Sequence, residues 1–378
     1  MRGRRGVVAP DKFKGSLSAL EAARAIERGL LTALPDVTFT LVPMADGGEG
    51  TVDAFVESGW RRVARRVCGP LQEPVEASFA FDDDTSSAVI EMAEASGLAH
   101  IDGRRRDALR ATSYGTGELL RAALDLGARR IVVGLGGSAT NDAGTGMLTA
   151  LGARFLAADG SEIGPGGAAL AEISTVDLSG LDARVRATTI DVAADVDNPL
   201  TGPRGASAIF GPQKGASPED IVRLDAALAG FARVTARSLG CDVRDEAGMG
   251  AAGGLGFALR AYLDASLRPG IALIAELRRL ADHVAGAVFC ATGEGSIDVQ
   301  TLGGKTVDGV ARLAQRAGIP TIAFAGRVSA EAERVLGERG TVVVPIAAAP
   351  VSDEVAMRDA AVLLERAAAR AGRLIALL

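Results

Sequence analysis

The sequence predicts an α/β protein of two domains, one of them discontinuous, and three observations carry that prediction. Strand-turn-helix units open the chain and return near its end, 48 glycines in 378 residues mark frequent tight turns, and the middle stretch changes pattern. Alternation of strand and helix implies a parallel sheet with right-handed crossovers. The expected bounds are 1–64 with 280–378 for the discontinuous α/β domain and 65–279 for an inserted α/β domain. The insert carries the loop Gly136-Gly-Ser-Ala-Thr-Asn-Asp142, and no internal repeat is visible.

Taken in order, residues 6–10 read as a short buried strand, and Asp11-Lys-Phe-Lys-Gly15 leads into a helix beginning near Ser16. Ser18-Ala-Leu-Glu21 is a capping-box pattern, Ile26, Leu30 and Leu34 form an apolar stripe, and Pro35 stops the helix. Phe39 to Val42 is the next strand; the glycine turn Met44 to Thr51 opens a second helix with Val52, Phe55 and Val56 on one face and Gly59 as its stop. In the middle, Val75 to Phe81 and Ala88 to Met92 alternate like adjacent strands. The apolar run Ile131 to Val133 feeds the glycine-rich stretch Gly134 to Gly144. The best helix of this region starts at Ser217-Pro-Glu-Asp220 and runs through Ile221, Leu224, Leu228 and Phe231 to Gly240.

Near the end, Ala287 to Ala291 is strand-like and Thr292 to Thr301 reads as a polar turn. A helix marked by Val310, Leu313, Ala314 and Ala317 then stops at Gly318. Strand, helix, strand and helix follow again through Ile319 to Ala325, Ser329 to Leu336, Thr341 to Ile346 and a final helix ending near Leu377.

Composition narrows the function. Hydrophobic content of 48% with 23% charged residues is that of a soluble globular chain. A net charge of −6 and 4% aromatic residues argue against a nucleic-acid partner. Cys68, Cys241 and Cys290 lack metal-type spacing and leave one thiol over, as in a reducing compartment. The basic start Met1 to Arg5 is followed by too short an apolar run for a signal peptide, and no window of about 18 apolar residues spans a membrane. The expected location is therefore the cytoplasm. With only His100 and His283, histidine-based hydrolysis and multi-histidine metal sites are disfavoured, whereas acids, lysines and glycine loops suit phosphate chemistry.

The stretch Gly134 to Gly144 is the strongest chemical signal. Glycines let backbone approach a ligand, and N–H groups at a following helix start favour an anion. Ser138 and Thr140 add hydroxyls, and Asp142 is placed to face a metal ion. Gly134-x-Gly136-x-x-Ala139 also fits the loose dinucleotide fingerprint, which leaves a nicotinamide-dependent dehydrogenase as a rival.

Further acids and lysines fall at expected carboxyl ends of strands, where parallel sheets bind ligands. Asp11, Lys12 and Lys14 follow the first strand, Asp46 and Glu49 the second, and Glu294 and Asp298 the strand near residue 290. Any one of these acids reads equally well as a helix cap. Asp195, in Asp191-Val-Ala-Ala-Asp-Val-Asp197-Asn198-Pro199, is placed to hold magnesium or take a proton, while Asp197 and Asn198 suit a turn. Lys214 sits in the rigid turn Gly211-Pro-Gln-Lys-Gly215, and Gly250 to Gly256 is a third glycine loop, with surface and packing roles as alternatives. Gly304-Lys305-Thr306 is like the end of a P-loop, but Val299 stands where the first glycine belongs, leaving Lys305 as either a point charge for phosphate or a solvated first-turn lysine.

Several of these stretches occur together: Ala9 to Ser18, Pro43 to Thr51, Gly136 to Asp142, Phe210 to Ala216, Gly250 to Gly256 and Thr292-Gly-Glu-Gly295. In that order, across nearly the whole chain, they resemble the type I glycerate kinase family. The resemblance implies a flavodoxin-like domain with an inserted α/β domain and an active-site cleft between them; a two-domain layout in turn suggests closure over substrate to exclude water. It also implies ATP-dependent, magnesium-assisted phosphorylation of D-glycerate, with 2-phosphoglycerate favoured over 3-phosphoglycerate, in organic-acid catabolism. The chain departs from the family at Lys12, where serine is frequent, and at Ser296, where arginine is frequent.

On this reading Gly136, Gly137, Ser138 and Thr140 contact ATP phosphates, and Asp195, Glu294 and Asp298 hold magnesium directly or through water. Lys14, Ser16, Asp11 and Asn198 bind glycerate. Asp46 orients or deprotonates the attacking hydroxyl, and Lys214 or Lys305 neutralises transferred charge. A homodimer is allowed by the sequence but not dictated. The alternative in another class is a non-catalytic nucleotide or metabolite sensor on the same fold.

Overall fold

The structure is a computed structural model that describes residues 4–377; Met1 to Gly3, part of the basic start, and Leu378 lie outside the described residues. The chain forms two compact units. The first comprises the chain up to Asp46, Asp53–Gly59 and Pro269 onward, and the second comprises Gly47–Val52 and Trp60–Arg268. These bounds differ from 1–64, 65–279 and 280–378 at three places: residues 269–279 join the first unit, residues 60–64 join the second, and so does the turn Gly47–Val52. That turn packs with the second unit because the N–H groups of Gly50 and Val52 donate to the buried carboxylate of Glu91 at 3.2 and 2.6 Å.

The first unit is built on a five-stranded parallel sheet ordered Val37–Leu41, Arg4–Val8, Cys290–Ile297, Thr321–Val328, Thr341–Pro345. Counted within the unit this is the order 2-1-3-4-5, which puts the topological switch point between Arg4–Val8 and Cys290–Ile297. The expected helix runs Ala19–Leu31 with Ser18 and Glu21 completing the capping box. It starts later than Ser16 because the Ser16 and Leu17 N–H groups both fold back onto the Phe13 carbonyl in a tight turn. Gly29 lets this helix approach Ala360–Ala376: a Cβ there would stand 2.2 Å from the Glu365 carbonyl oxygen. Val8, Ile26, Leu30, Phe324 and Leu364 close the core beneath them.

The stretch Thr292 to Thr301, expected as a turn, is mostly strand. Glu294 pairs with Ala325 and Ser296 with Arg327, so the ladder continues to Ile297 despite the polarity of the residues. Gly293 permits the pairing, since a Cβ there would stand 2.5 Å from the Phe324 carbonyl oxygen.

The second unit carries a six-stranded sheet ordered Ser266–Arg268, Thr189–Ala193, Arg130–Gly134, Ser87–Glu91, Pro74–Asp82, Arg61–Cys68. The first four strands are mutually parallel and the last two add antiparallel. Arg61–Cys68 is invisible to pattern reading because its arginines point outward at the sheet edge and only Val63 and Val67 are buried. Helix Pro218–Leu239 has the expected start, with a Ser217–Asp220 capping box, and ends at Gly240 with φ 73°. Phe79, Ile90, Leu119, Met147 and Phe231 are among its core residues. No described helix is long and apolar enough to cross a membrane.

Candidate active site

The switch point of the first unit gathers acids. The Asp11 N–H donates to the Gly293 carbonyl at 2.8 Å, so the residue after the first strand is tied to the neighbouring one. Its carboxylate accepts the Lys12 N–H at 2.7 Å and the Thr306 hydroxyl. Burial, reinforced by the negative charge of Asp46, pushes this carboxyl up to about 6 against those stabilising donors. Glu294 accepts the Thr301 hydroxyl at 2.7 Å. Burial, with Asp11 and Asp46 adding repulsion and Lys305 relieving it, pushes Glu294 up to about 7. Asp11, Asp46, Glu294, Lys12 and Lys305 therefore act on one another electrostatically.

Arg278 fixes the segment that bears Asp46. Its guanidinium donates to the Pro43 carbonyl at 2.9 and 3.2 Å, to the Ala54 carbonyl at 3.4 Å and to the Ser58 hydroxyl, and lies 5.0 Å from the Phe55 ring centroid. Burial lowers this guanidinium to about 10. The other candidates nearby are more open. Lys14 is exposed, Ser16 donates its hydroxyl to the Phe13 carbonyl at 2.9 Å, and Lys305 reaches Gln300 at 3.3 Å from the N-cap of Thr306–Arg316. Asp298 accepts the Gln300 N–H at 2.8 Å, a turn-capping arrangement that leaves it half-buried.

In the second unit the loop after Arg130–Gly134 runs along the rim of the sheet. Gly134 must be glycine, because a Cβ would stand 2.1 Å from the Gly47 carbonyl oxygen, and Gly137 adopts φ 73°. Gly136 and Gly137 are exposed, Ser138 is 8% exposed, and Thr140 is fully buried with its hydroxyl donating to the Ala252 carbonyl at 3.4 Å. The third glycine loop is the packing partner: a Cβ on Gly253 would stand 2.0 Å from the Thr140 carbonyl oxygen.

Asp142 does not face a metal. It is wholly buried and its carboxylate accepts Ser113 N–H and Oγ at 2.7 and 2.9 Å, Gly144 N–H at 3.1 Å and Gly146 N–H at 3.3 Å. Burial raises its carboxyl while those donors oppose the rise. Lys214 is 1% exposed and donates from Nζ to the Thr140 carbonyl at 2.7 Å, and burial, opposed by Asp142, lowers its ammonium to about 7. Asp195 is exposed beyond Thr189–Ala193, while the Asn198 amide donates to the Arg204 carbonyl at 2.8 Å.

Among the described residues no three His, Cys, Asp or Glu side chains stand grouped as a ready metal site. Magnesium needs no such cage, since it is usually held by one or two carboxylates with waters and substrate phosphates. The mutually repelling, partly desolvated acids Asp11, Asp46 and Glu294 have the donor chemistry that a hard divalent cation relieves. Pattern reading missed Thr301, Thr306 and Arg278: the two hydroxyls flank Lys305 in sequence, but Arg278 fell in the segment assigned to the insert.

Fold and site together define a two-unit α/β enzyme with an acidic switch-point site and a glycine-rich rim loop. A family profile described as the glycerate kinase family matches residues 6–376. The glycerate kinase of Bacillus subtilis (strain 168) is 48% identical over 363 residues, covering 96% of this chain and 95% of that protein. The glycerate 2-kinase of Escherichia coli (strain K12) is 49% identical and covers 85% of each. A crystal structure of a chain provisionally named glycerate kinase 2 from Salmonella typhimurium LT2 superposes with a TM-score of 0.88 at 45% identity, covering 99% of this chain and 97% of that one. The chain belongs to the glycerate kinase family.

Proposed function

We propose that this protein transfers the γ-phosphoryl group of ATP to D-glycerate and releases 2-phosphoglycerate and ADP, a step of organic-acid catabolism in the cytoplasm. The observation that carries this reading is the family match across residues 6–376, which takes in every site residue described above. Relatives named glycerate kinase and glycerate 2-kinase support the acceptor and the 2-position.

Phosphoryl transfer asks mainly for positioning and charge neutralisation, because negative charge spreads over the oxygens of the transition state. Lys14 and Ser16, with Asp11 and Asn198, bind glycerate. Asp46 receives the hydroxyl proton as the new O–P bond forms and the bond to the β-phosphate oxygen breaks, the electron pair leaving with ADP. Gly136, Gly137 and Ser138 bring backbone and hydroxyl groups to the phosphates, and Lys305 offsets transferred charge. Thr140 and Lys214, both buried, act one step back by holding that loop in shape. Asp195, Glu294 and Asp298 would hold magnesium, directly or through water. Bound there, the ion would neutralise phosphate charge and orient the donor.

Incubation with magnesium-ATP and D-glycerate, followed by phosphorus NMR, tests the reading. A phosphomonoester with the coupling of 2-phosphoglycerate is expected; 3-phosphoglycerate would correct the position, and untouched ATP would overturn the kinase. In the same assay Asp46→Asn lowers kcat by roughly 100-fold with the fold intact, a barrier increase of about 3 kcal/mol.

A further inference from the structure

Within the second unit lies a cavity of about 340 Å³ that the proposed roles leave unused. Its walls are largely apolar, with Tyr114, Phe155, Ile163 and Pro165 around it and Gln72 and Thr149 supplying hydrogen-bonding groups. The one cation of the lining is already taken up: Arg154 donates to Glu162 at 2.7 Å and lies 3.6 Å from Asp177. An anion such as glycerate or a phosphate would therefore leave its water for apolar walls with no spare cation to meet it. A flat, uncharged ring with polar edges suits such a lining, and the volume falls in the range of small-molecule pockets, roughly 300–1,000 Å³.

The cavity is also wired to the glycine-rich loop. Thr112 and Gly146 both line it, and both donate to Asp142, at 3.5 and 3.3 Å, from the hydroxyl and the backbone N–H respectively. Asp142 closes the stretch that begins at Gly136, so one buried carboxylate couples the shape of the cavity to that of the loop.

We propose that this cavity receives the adenine ring of the phosphoryl donor, packed by Tyr114 and Phe155 and with its polar edge toward Gln72 and Thr149. The assignment rests on the kinase reading, because it takes the donor to be an adenine nucleotide. It explains why the pocket offers no spare cation: the phosphates remain at the loop, and the base alone enters the apolar space.

Two measurements on the full chain test it. Half-buried Cys68 lines the cavity, whereas the exposed Cys241 does not, so alkylation by N-ethylmaleimide followed by peptide mass spectrometry reports occupancy with an internal control. Adenosine and ATP should each slow Cys68 labelling at least fivefold, leave Cys241 unchanged, and have no counterpart with D-glycerate. At the exposed position 149, Thr149→Trp should raise the KM for ATP at least tenfold with the KM for glycerate and the Tm held. Cys68 labelling that adenosine leaves unchanged overturns the assignment, as does a folded Thr149→Trp enzyme that keeps its KM for ATP. Phosphoglycerate formed without adenosine protection sinks the cavity assignment alone; adenosine protection without phosphoglycerate sinks the kinase reading alone.

Discussion

Asp11 and Glu294 hold protons more tightly in the fold than their ordinary values of 3.8 and 4.5 allow, at about 6 and about 7. Between those limits the folded chain binds protons that the unfolded chain has released, so their contribution to stability is full below about pH 4 and is lost as pH rises through 6 to 7. A rise from 3.8 to about 6 at the buried Asp11 corresponds to roughly 3 kcal/mol as an upper figure, shared with its repelling neighbours. Asp11→Asn should therefore raise the Tm at pH 8 and change it little at pH 4, while glycerate turnover falls. Thermal melts at the two pH values check this, and a lower Tm at pH 8 would refute the account. That these acids serve a site was legible from their spacing after strands. That two hydroxyls, Thr301 and Thr306, serve them was not, because a hydroxyl at a turn or helix start looks the same in sequence whether it caps backbone or serves a carboxylate.

Local elements were legible where their own chemistry defines them. The capping boxes at Ser18–Glu21 and Ser217–Asp220 are short-range hydrogen bonds, and both helices begin there. Elements whose identity comes from a distant neighbour escape such reading: Thr292 to Ile297, expected as a turn, becomes strand because Thr321–Val328 lies beside it, and Arg61–Cys68, for which the pattern gives no element, pairs with Pro74–Asp82. Burial direction was equally hidden, as with Asp142 and Lys214, whose polar heads suggested contact with ligand but serve the inside of a loop. Lys214 illustrates the cost: an ammonium withdrawn from water and anchored to the loop through the Thr140 carbonyl at 2.7 Å. Lys214→Met should raise the KM for ATP at least fivefold with the KM for glycerate unchanged, since it removes the tie to Thr140 and leaves the first unit alone. Steady-state kinetics in both substrates decide it; equal changes in the two constants would mean general loosening instead.

At the scale of the whole chain, each unit closes its own hydrophobic core, one around Phe231 and Ile90, the other around Ile26 and Phe324. Ligands should accordingly write separate footprints in native-state hydrogen exchange, because protection follows the element a ligand holds shut. Magnesium with D-glycerate should slow exchange at 11–13 and 292–306, and adenosine alone at 112–149; adenosine slowing only the first set would contradict the site assignments. The sheet order has a consequence for biosynthesis. Strand Arg4–Val8 lies between Val37–Leu41 and Cys290–Ile297, so one of its two ladders waits for a strand made nearly three hundred residues later. At synthesis rates of roughly 5–20 residues per second that delay is on the order of tens of seconds. The second unit, contiguous but for one turn, leaves the ribosome complete while the first is still an open two-stranded edge in need of shielding.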